Sequence, residues 1–394
     1  MVRVARTLAL PIGSVAFAFI AGAIAVQITG GDPVLAYRSL ICGGFGAFCF
    51  RGENPALQLS FTIVFMIPLI MTGVAVALAF RGGLFNIGAE GQFIVGALAC
   101  TFVGIHAAGW PAPILLPLVL LVGALAGAAW GGIVGVLKAT TGAHEVVTTI
   151  MLNYVAQWLL SYLIIGGPMQ APYGFSASSP IGEGAQLAPL LPQNRTVFGL
   201  PGSVFNLHAG LFIALAAAGV YFFLLWRTSL GYEIRAVGQS QRAARYAGIS
   251  VRRTIIMTML ISGAFAGLAG AVQIAGIDHD LTDKYFNDTT GFDAIAVALL
   301  GLTGAVGIVL SAILFGALHA GGAVMQTDAR LSSSLVLVLQ ALVLFSIAAN
   351  FLSAIKLRLP ALGRTPDTPE AETLAAATAA EVDSALAEDA ESTG

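Results

Sequence analysis

The chain has 394 residues, of which 57% are hydrophobic and only 10% are charged, and its formal net charge is −2. Its mean hydropathy is +0.88, and apolar runs recur along the chain. Runs of about twenty apolar residues cross the ~30 Å hydrocarbon layer of a membrane, so a soluble globular domain is excluded. We therefore predict an all-α, polytopic helical membrane protein.

Hydropathy predicts the membrane spans in chain order at residues 7–28, 57–80, 84–106, 114–137, 144–165, 207–226, 255–276, 291–302, 304–325 and 335–355. The eighth stretch, 291–302, is too short to cross unaided. It is either a re-entrant segment or a helix that is tilted or begins earlier, near Asp288. The count is therefore eight to ten, with ten preferred.

The distribution of basic residues predicts the orientation. With ten spans and the N-terminus inside, thirteen Lys and Arg residues face the inner side and five face the outer side. This bias places both termini in the cytoplasm. Alternatively the first span is a cleaved signal peptide, because Arg3 and Arg6 precede an apolar stretch with small residues. Cleavage would leave an odd number of spans, which fits the charges less simply.

Composition divides the chain into two regions. Residues 1–360 form the predicted transmembrane domain, which includes a polar loop at 227–253 that carries six arginines. Residues 361–394 are rich in Ala, Thr, Glu and Asp and cannot bury a core, so we expect a disordered cytoplasmic tail. A transient helix around 370–390 is the alternative.

Several chemistries have no counterpart in this sequence. None of the three lysines belongs to a phosphate-binding loop, and no hydrolase or zinc-protease motif occurs. No Cys and His spacing resembles a metal site. Cys42 and Cys49 fall together in the first predicted outer loop, where a disulfide is one of two open outcomes. An enzyme is therefore disfavoured, and transport or conduction is the expected class.

A glycine-broken polar turn precedes the third predicted span. It contains Phe85, Asn86, Glu90 and Gln92 among four glycines. One interpretation is a tight interhelical turn in which Glu90 is favoured by a helix N-terminus. The other is a broken helix that lines a translocation pathway and offers hydrogen bonds to a solute. The sequence leaves both open.

Other polar side chains lie inside predicted spans. Asn153 and Gln157 are four residues apart and share a helix face, and Gln273 is near the end of its span. They serve either interhelical hydrogen bonds or a polar stripe along a pathway. Phe292 and Asp293 begin the short eighth stretch, where a carboxylate needs a partner or water, or caps the helix. Phe85, Phe93 and Phe292 could also stack on a nucleobase.

The arginine-rich loop contains a short helix with its own caps. Ser240 is the predicted N-cap, residues 241–247 form two turns, and Gly248 is the C-terminal glycine. Arg242 and Arg245 are three residues apart and share a face. The arginines alternatively only set topology and bind anionic lipid headgroups, but that reading does not explain the caps.

Four segments together resemble one known family. They are GLFNIGAEGQF at 83–93, HEVVTTIMLNYVA at 144–156, GYEIRAVGQSQRAARYAGI at 231–249 and GFDAIAVALLG at 291–301. In this order and spacing they resemble the membrane permease subunit of bacterial ABC importers of the branched-chain amino acid, ribose and nucleoside group. The first segment is similar to the nucleoside and simple-sugar permeases. The resemblance covers about residues 57–355.

The resemblance implies a set of partners. They are a second, similar permease subunit, a cytoplasmic ABC ATPase that holds ATP and Mg, and an extracytoplasmic substrate-binding lipoprotein. No cofactor on this chain and no nucleic-acid partner are expected, and the location is the bacterial cytoplasmic membrane. The lipoprotein would dock on residues 166–206 and 278–288. The residues implied in coupling to the ATPase are Glu233, Arg235, Ser240, Arg242, Arg245 and Gly248.

Two other functions remain open. A simple-sugar permease is the first alternative, because only the residues of the first segment favour nucleosides. An ion-coupled secondary transporter is the second. It would require several acidic side chains in mid-span, and Glu90 and Asp293 are the nearest that the sequence offers.

Overall fold

The computed structural model describes residues 19–49, 54–172, 176–192, 195–286 and 289–332, and five single positions up to 345. The first predicted span is described only from residue 19, and almost all of the last lies outside this range. Both termini and the predicted tail at 361–394 also lie outside the described residues. Their orientation and disorder stay predictions.

The described chain is mostly helical, as the sequence predicts. Its helices are α1 (Phe19–Ile28), α2 (Pro33–Phe45), α3 (Pro55–Arg81), α4 (Ala89–His106), α5 (Ala112–Thr141), α6 (Glu145–Ile164), α7 (Gly210–Arg227), α8 (Ser229–Gln239), α9 (Gln241–Tyr246), α10 (Val251–Gln273), α11 (Thr290–Leu300) and α12 (Ala305–Asp328). Two short strands, β1 (Thr196–Val197) and β2 (Leu200–Pro201), form an antiparallel hairpin. Within the described residues, seven helices are long and apolar enough to span a membrane.

The helices run between two ends of the bundle. The strand end carries β1 and β2, and the arginine end carries α8 and α9. At the strand end, the Asn54 side chain before α3 donates to the Phe198 carbonyl at 2.6 Å. At the arginine end, the backbone of Arg81 lies against Gly238 of α8. Helix α3 therefore connects the two ends.

Helix α3 is the central element of the fold. In its most apolar 18-residue window 83% of the residues are buried, compared with 22% in α5. A helix that is apolar on all sides is covered either by lipid or by other parts of the protein, and most of α3 is covered by protein. Helices α7, α10, α11 and α12 pack around α3 and provide that cover.

Glycines bring α4, α5 and α10 into backbone contact. Gly96, Gly127 and Gly267 face one another so closely that a Cβ atom on Gly267 would lie 2.4 Å from the Gly123 carbonyl oxygen. A Cβ atom on Gly96 would lie 2.2 Å from the Gly267 carbonyl oxygen. Because apolar burial drives helix association only weakly in lipid, this close contact supplies much of the packing energy.

Helix α11 is too short to span a membrane. Its 11 residues extend only ~17 Å at 1.5 Å per residue. It begins at Thr290, one residue before the predicted start, in contact with the start of α4. Beyond its C-terminus, the carbonyls of Leu302 and Thr303 lie 3.4 Å from the Arg81 guanidinium at the arginine end. The short eighth stretch is therefore an incomplete crossing that starts inside the bundle.

The first predicted outer loop contains a helix, which the sequence analysis missed. Helix α2 begins with Asp32, whose side chain accepts from the Val34 N–H at 2.8 Å, and Gly46 ends it. It packs on α12 through Gly43. Hydropathy overlooks α2 because it is not long enough to span. Cys42 and Cys49, left open by the sequence, form a disulfide in the structure.

The described residues between 166 and 206 fold along the end of α10. The Ser178 N–H donates to the Leu281 carbonyl at 2.7 Å, and the Leu187 N–H donates to the Ala275 carbonyl at 2.7 Å. The Ile181 N–H likewise donates to the His279 carbonyl at 2.8 Å. These bonds bind the described part of the segment to the strand end.

His208 lies at the centre of the strand end. Its side chain is 2% exposed, and Nδ1 accepts from the Gly210 N–H at 3.2 Å. The ring packs on Gly210 and Gly276, where there is no room for a Cβ atom. Burial, and next the nearby His279, lower the pKa of His208 from 6.5 to about 4. The folded protein therefore holds this imidazole neutral.

We expect Gly267→Leu to lower the thermal unfolding midpoint of the detergent-purified protein by several degrees. The new side chain must displace the backbones of Gly123 and Gly127, and such overpacking costs about 1–3 kcal/mol or more. Gly219→Leu is the matched control, because a Cβ atom at Gly219 meets nothing within 4 Å. Equal midpoints for the two variants would contradict the close packing of α4, α5 and α10.

We expect the folded protein to lose stability as the pH falls from about 6.5 towards 4. In that window the unfolded chain binds a proton at residue 208 and the folded chain does not, because the folded pKa is lowered. The loss should reach about 2 kcal/mol at pH 5. The measurement is the unfolding midpoint at pH 7.5 and pH 5. The variant His208→Asn keeps an acceptor oxygen, and its midpoint should fall less; an equal fall would contradict the assignment.

Candidate functional site

The chain reverses sharply between α3 and α4. Gly83 has a φ of +70°, a conformation that favours glycine, and the Leu84 N–H donates back to the Ala79 carbonyl at 2.9 Å. Residues 84–88 are not helical, yet Leu84, Asn86 and Gly88 are buried. The segment is therefore an interhelical turn, and its irregular backbone lies inside the protein; a role in lining a pathway stays a prediction.

A turn network of side chains holds this segment; it consists of Asn86, Gln92, Asn153 and Ser262. The Asn86 Nδ2 donates to Gln92 Oε1 at 2.9 Å and to Ser262 Oγ at 2.8 Å. The Gln92 Nε2 donates to Asn86 Oδ1 at 3.1 Å, and Ser262 donates to the Ala75 carbonyl at 2.7 Å. Asn86 and Gln92 are at most 1% exposed.

Asn153 of α6 completes the turn network from the other side. Its Oδ1 accepts from the Gly91 N–H at 2.8 Å, and its Nδ2 donates to the Ile87 carbonyl at 3.0 Å. Asn153 is 3% exposed, while Gln157, one turn further along α6, is half-buried. Asn153 thus pairs backbone groups of the α3–α4 turn and the first turn of α4 that have no partner within a helix.

Glu90 joins the start of α4 to the start of α11. Its side chain is fully buried, and Oε2 accepts from the Gly291 N–H at 2.7 Å. Glu90 also lies in the first turn of its own helix. The N-termini of two helices therefore favour its negative charge. Asn86, Glu90 and Gln92 hold the turn in the structure described; a pathway role for them stays a prediction.

A cavity of about 240 Å³ lies between α3, α10, α11 and α12. Phe65, Pro68 and Leu69 of α3 form its apolar wall. The remaining lining residues all carry polar groups and are Gln273, Asp278, Lys284, Tyr285, Thr290 and His319. An apolar wall with a few convergent polar groups is typical of a small-molecule site.

Asp278 organises one side of the cavity. Helix α10 ends in a π-helical turn, Ile274–Asp278, a geometry common at functional sites. The Asp278 carboxylate accepts from Gln273 Nε2 at 3.1 Å and also from the Lys284 ammonium and the Tyr285 hydroxyl. Its side chain is only 7% exposed. Asp278 therefore faces the cavity, whereas the sequence analysis placed it on the docking surface.

Asp293 and His319 form the other polar side. The Asp293 Oδ2 lies 2.9 Å from His319 Nε2 and accepts from the Thr289 hydroxyl at 3.2 Å. The His319 ring stacks on Phe65 with centroids 5.6 Å apart and planes 20° apart. Asp293 has the partner that the sequence required. His319 and Phe65 were missed, although a lone histidine inside the apolar helix α12 was a usable signal.

None of the three candidate stacking residues lines this cavity. Phe93 is fully buried, and its ring centroid lies 6.1 Å from that of Tyr285. Phe292 is 40% exposed beside Asp293 on α11. Phe85 is also 40% exposed, and its ring packs against Phe80, with centroids 4.8 Å apart. Gln273 therefore lines the cavity and Asp293 pairs with the lining residue His319, whereas Phe85, Phe292 and Gln157 do not line it.

The short helix in the arginine-rich loop has the predicted caps. Ser240 Oγ accepts from the Ala243 N–H at 3.3 Å at the start of α9. Gly248 has a φ of +79°, and the Ile249 N–H donates to the Ala244 carbonyl at 3.0 Å. The helix ends at Tyr246, one residue before the predicted end. The predicted helix is confirmed.

One face of α9 is anchored in a small apolar cluster at the arginine end. Ala244 is 3% exposed and is the anchor. The arginine-end cluster combines residues from five helices and the α3–α4 turn, namely Ala79, Leu84, Val134, Val237, Ala244, Val251, Ile255 and Met259. Ala244 of α9 and Leu84, two residues before Asn86, therefore belong to the same apolar cluster.

The opposite face of α9 is exposed. Arg242 and Arg245 are exposed, and Tyr246 is 95% exposed. Arg235 of α8 is instead half-buried, and its guanidinium lies 4.4 Å from the centre of the Trp226 ring. Glu233 is also half-buried. The two arginines of α9 are thus available to a partner, whereas Arg235 packs on α7.

Asp280 shows the electrostatics just beyond the cavity. Burial, and next the nearby Asp278 carboxylate, raise the pKa of Asp280 above its ordinary value.

In the part of the chain that the structure describes, no cluster of three or more His, Cys, Asp or Glu side chains could hold a metal ion.

Comparisons with known proteins identify relatives along nearly the whole chain. A family model for the permease component of the branched-chain amino acid transport system matches residues 58–348. The guanosine ABC transporter permease protein NupP of Bacillus subtilis is 39% identical over 89% of this chain and 96% of its own length. No solved structure matches this chain.

Two further relatives differ in the solute that they are named for. The glucose ABC transporter permease protein TsgB13 of Haloferax volcanii is 36% identical over 91% of this chain and 92% of its own length. The nucleoside ABC transporter permease protein NupB of Lactococcus lactis is 32% identical over 89% of this chain and 93% of its own length. This chain therefore belongs to the family of permease components of the branched-chain amino acid transport system and is a multi-pass ABC transporter permease subunit, not an enzyme.

Proposed function

We propose that this permease forms the translocation pathway for nucleosides in an ATP-driven importer of the bacterial cytoplasmic membrane. The relative that supports this solute is the guanosine permease, which is 39% identical over 351 residues. The cavity beside α11 supports it independently, because it combines aromatic and hydrogen-bonding side chains. Such a combination suits a solute that has a planar base and sugar hydroxyls.

The exposed basic face of α9 is the observation that carries the ATP-coupled mechanism. Arg242 and Arg245 face outward from a helix whose other face is anchored by Ala244. A partner that pulls on α9 moves the arginine-end cluster and, through Leu84, the turn network. Glu90 then transmits the movement to α11 and the cavity. Rigid elements in contact couple distant sites in this way.

The remaining parts of the importer are separate chains in this proposal. A cytoplasmic ABC ATPase binds ATP and Mg, and it contacts α9 at the arginine end. A second, similar permease subunit pairs with this one, and a substrate-binding lipoprotein docks at the strand end. The excess of Lys and Arg on one side supports an arginine end and both termini in the cytoplasm. ATP-driven closure then switches the pair between inward-open and outward-open states.

A simple sugar is the second candidate solute. The glucose permease relative, 36% identical over 365 residues, favours it. The hydroxyl groups of a sugar would also suit the Asp278 side of the cavity. A sugar has no planar base, however, and leaves the aromatic side formed by Phe65 and His319 without a matching group. An ion-coupled transporter finds less support, because Glu90 is already bound to the N-terminus of α11.

We expect cells that contain this chain and its partner subunits to import labelled nucleosides, and cells without this chain to lack that uptake. Unlabelled nucleosides should compete, whereas unlabelled glucose and pentoses should not. The measurement is the initial rate of uptake at matched protein levels in the membrane. Uptake of glucose that nucleosides do not inhibit would favour the sugar instead.

We expect the double change Arg242→Glu and Arg245→Glu to abolish most uptake and to reduce co-purification of the ATPase. Both side chains are exposed, so the reversal acts on the partner contact and leaves the fold intact. Arg330→Glu is the control, because Arg330 is equally exposed but lies beyond the end of α12, outside the arginine-rich loop and outside the two proposed docking segments. Unchanged uptake by the double variant would refute coupling through α9.

A further inference from the structure

The imidazole of His319 has a defined orientation at the cavity wall. On one side its Nε2 lies 2.9 Å from the Asp293 carboxylate. A carboxylate oxygen only accepts, so Nε2 carries the proton and donates. The ring face is supported by Phe65, with centroids 5.6 Å apart. Asp293 and Phe65 therefore hold one orientation of the ring.

This orientation determines what His319 offers to a ligand. In a neutral imidazole whose Nε2 is protonated, Nδ1 has a lone pair and accepts a hydrogen bond. Nδ1 has no hydrogen-bond partner among the described residues, and the His319 side chain is 27% exposed. His319 also lines the cavity of about 240 Å³. The cavity thus contains an oriented acceptor that the fold itself does not use.

The two sides of the cavity differ in the groups that they can bind. Asp278 already accepts from Gln273, Lys284 and Tyr285, which satisfies much of its capacity. The side formed by His319 combines an aromatic neighbour, Phe65, with an available acceptor, the His319 Nδ1. An N–H group on the edge of a planar base matches both features.

We propose that His319 determines base specificity by accepting a hydrogen bond from a ring N–H of the nucleoside through Nδ1, with Asp293 as the positioning residue. The inference rests on the proposed nucleoside import and adds the residue that recognises the base. It also gives a role to the Asp293 carboxylate, which lies in the first turn of α11 and contacts His319 of α12. A site built to accept an N–H discriminates strongly against an analogue that lacks it.

Inosine and 1-methylinosine test this assignment, because the base of inosine carries a single N–H, at N1, which methylation removes. The measurement is the ratio of their uptake rates in cells that contain the complete transporter. The wild-type protein should favour inosine by about tenfold or more, as expected for loss of one hydrogen bond at a desolvated site. Any contribution of a separate binding protein is the same in every variant.

Three variants separate recognition from structure. His319→Phe keeps a ring beside Phe65 but loses the acceptor, and it should lower the ratio several-fold. His319→Gln keeps an acceptor oxygen and should retain part of the ratio. Asp293→Asn should lower the ratio, because its amide no longer selects the Nε2–H form of the imidazole.

His106→Phe is the matched control. His106 stacks on Phe102 with centroids 4.3 Å apart, as His319 stacks on Phe65, but it lies in an exposed position at the end of α4. The ratio in this variant should equal that of the wild-type protein.

The outcomes distinguish this inference from the proposed function. A wild-type protein that imports inosine and 1-methylinosine equally would overturn the role of His319 and leave nucleoside import standing. An equal fall of both rates in His319→Phe, with the ratio unchanged, would also overturn it. If His319→Phe does not reach the membrane, His319→Gln and Asp293→Asn decide by the same ratio. Failure of the wild-type protein to import any nucleoside would refute the proposed function itself.

Discussion

The irregular backbone between α3 and α4 is the constraint on which the rest of the structure depends. It is buried among membrane-spanning helices, where each unpaired N–H or C=O group would cost several kcal/mol. Asn86 and Asn153 supply the missing partners, and Ser262 and Gln92 hold Asn86 in place. Three helices are thereby fixed around one turn. The polar residues of this region are needed for folding before any role in transport.

The same turn connects the two regions with functional chemistry. On one side Leu84 belongs to the apolar cluster that anchors α9. On the other side Glu90 binds the N-terminus of α11, whose first turn carries Asp293 and borders the cavity. Packed elements with few alternative arrangements transmit displacement well. The structure thus provides a short physical route from the exposed arginines to the cavity.

Particular residues show which features could be predicted from the sequence and which could not. The caps at Ser240 and Gly248 predicted α9, because a helix cap is a local hydrogen-bonding pattern. Helix α2 was missed because hydropathy selects for length and α2 is short, although Asp32 and Pro33 marked its start. His319 and Phe65 could not be joined to Asp293, since they lie on three helices far apart in the sequence.

The sequence by itself determined the class of protein, most of the spans, the short helix in the arginine-rich loop and the family. The first three follow from composition, periodicity and local caps, which are properties of neighbouring residues, and the family follows from the resemblance of four segments to known permeases. Only the tertiary structure decided that Asp278 faces a cavity, that Glu90 binds α11 and that His319 pairs with Asp293. Such contacts depend on how the helices pack, and in a membrane that packing is set by close approach at glycines, whose partners the sequence does not name.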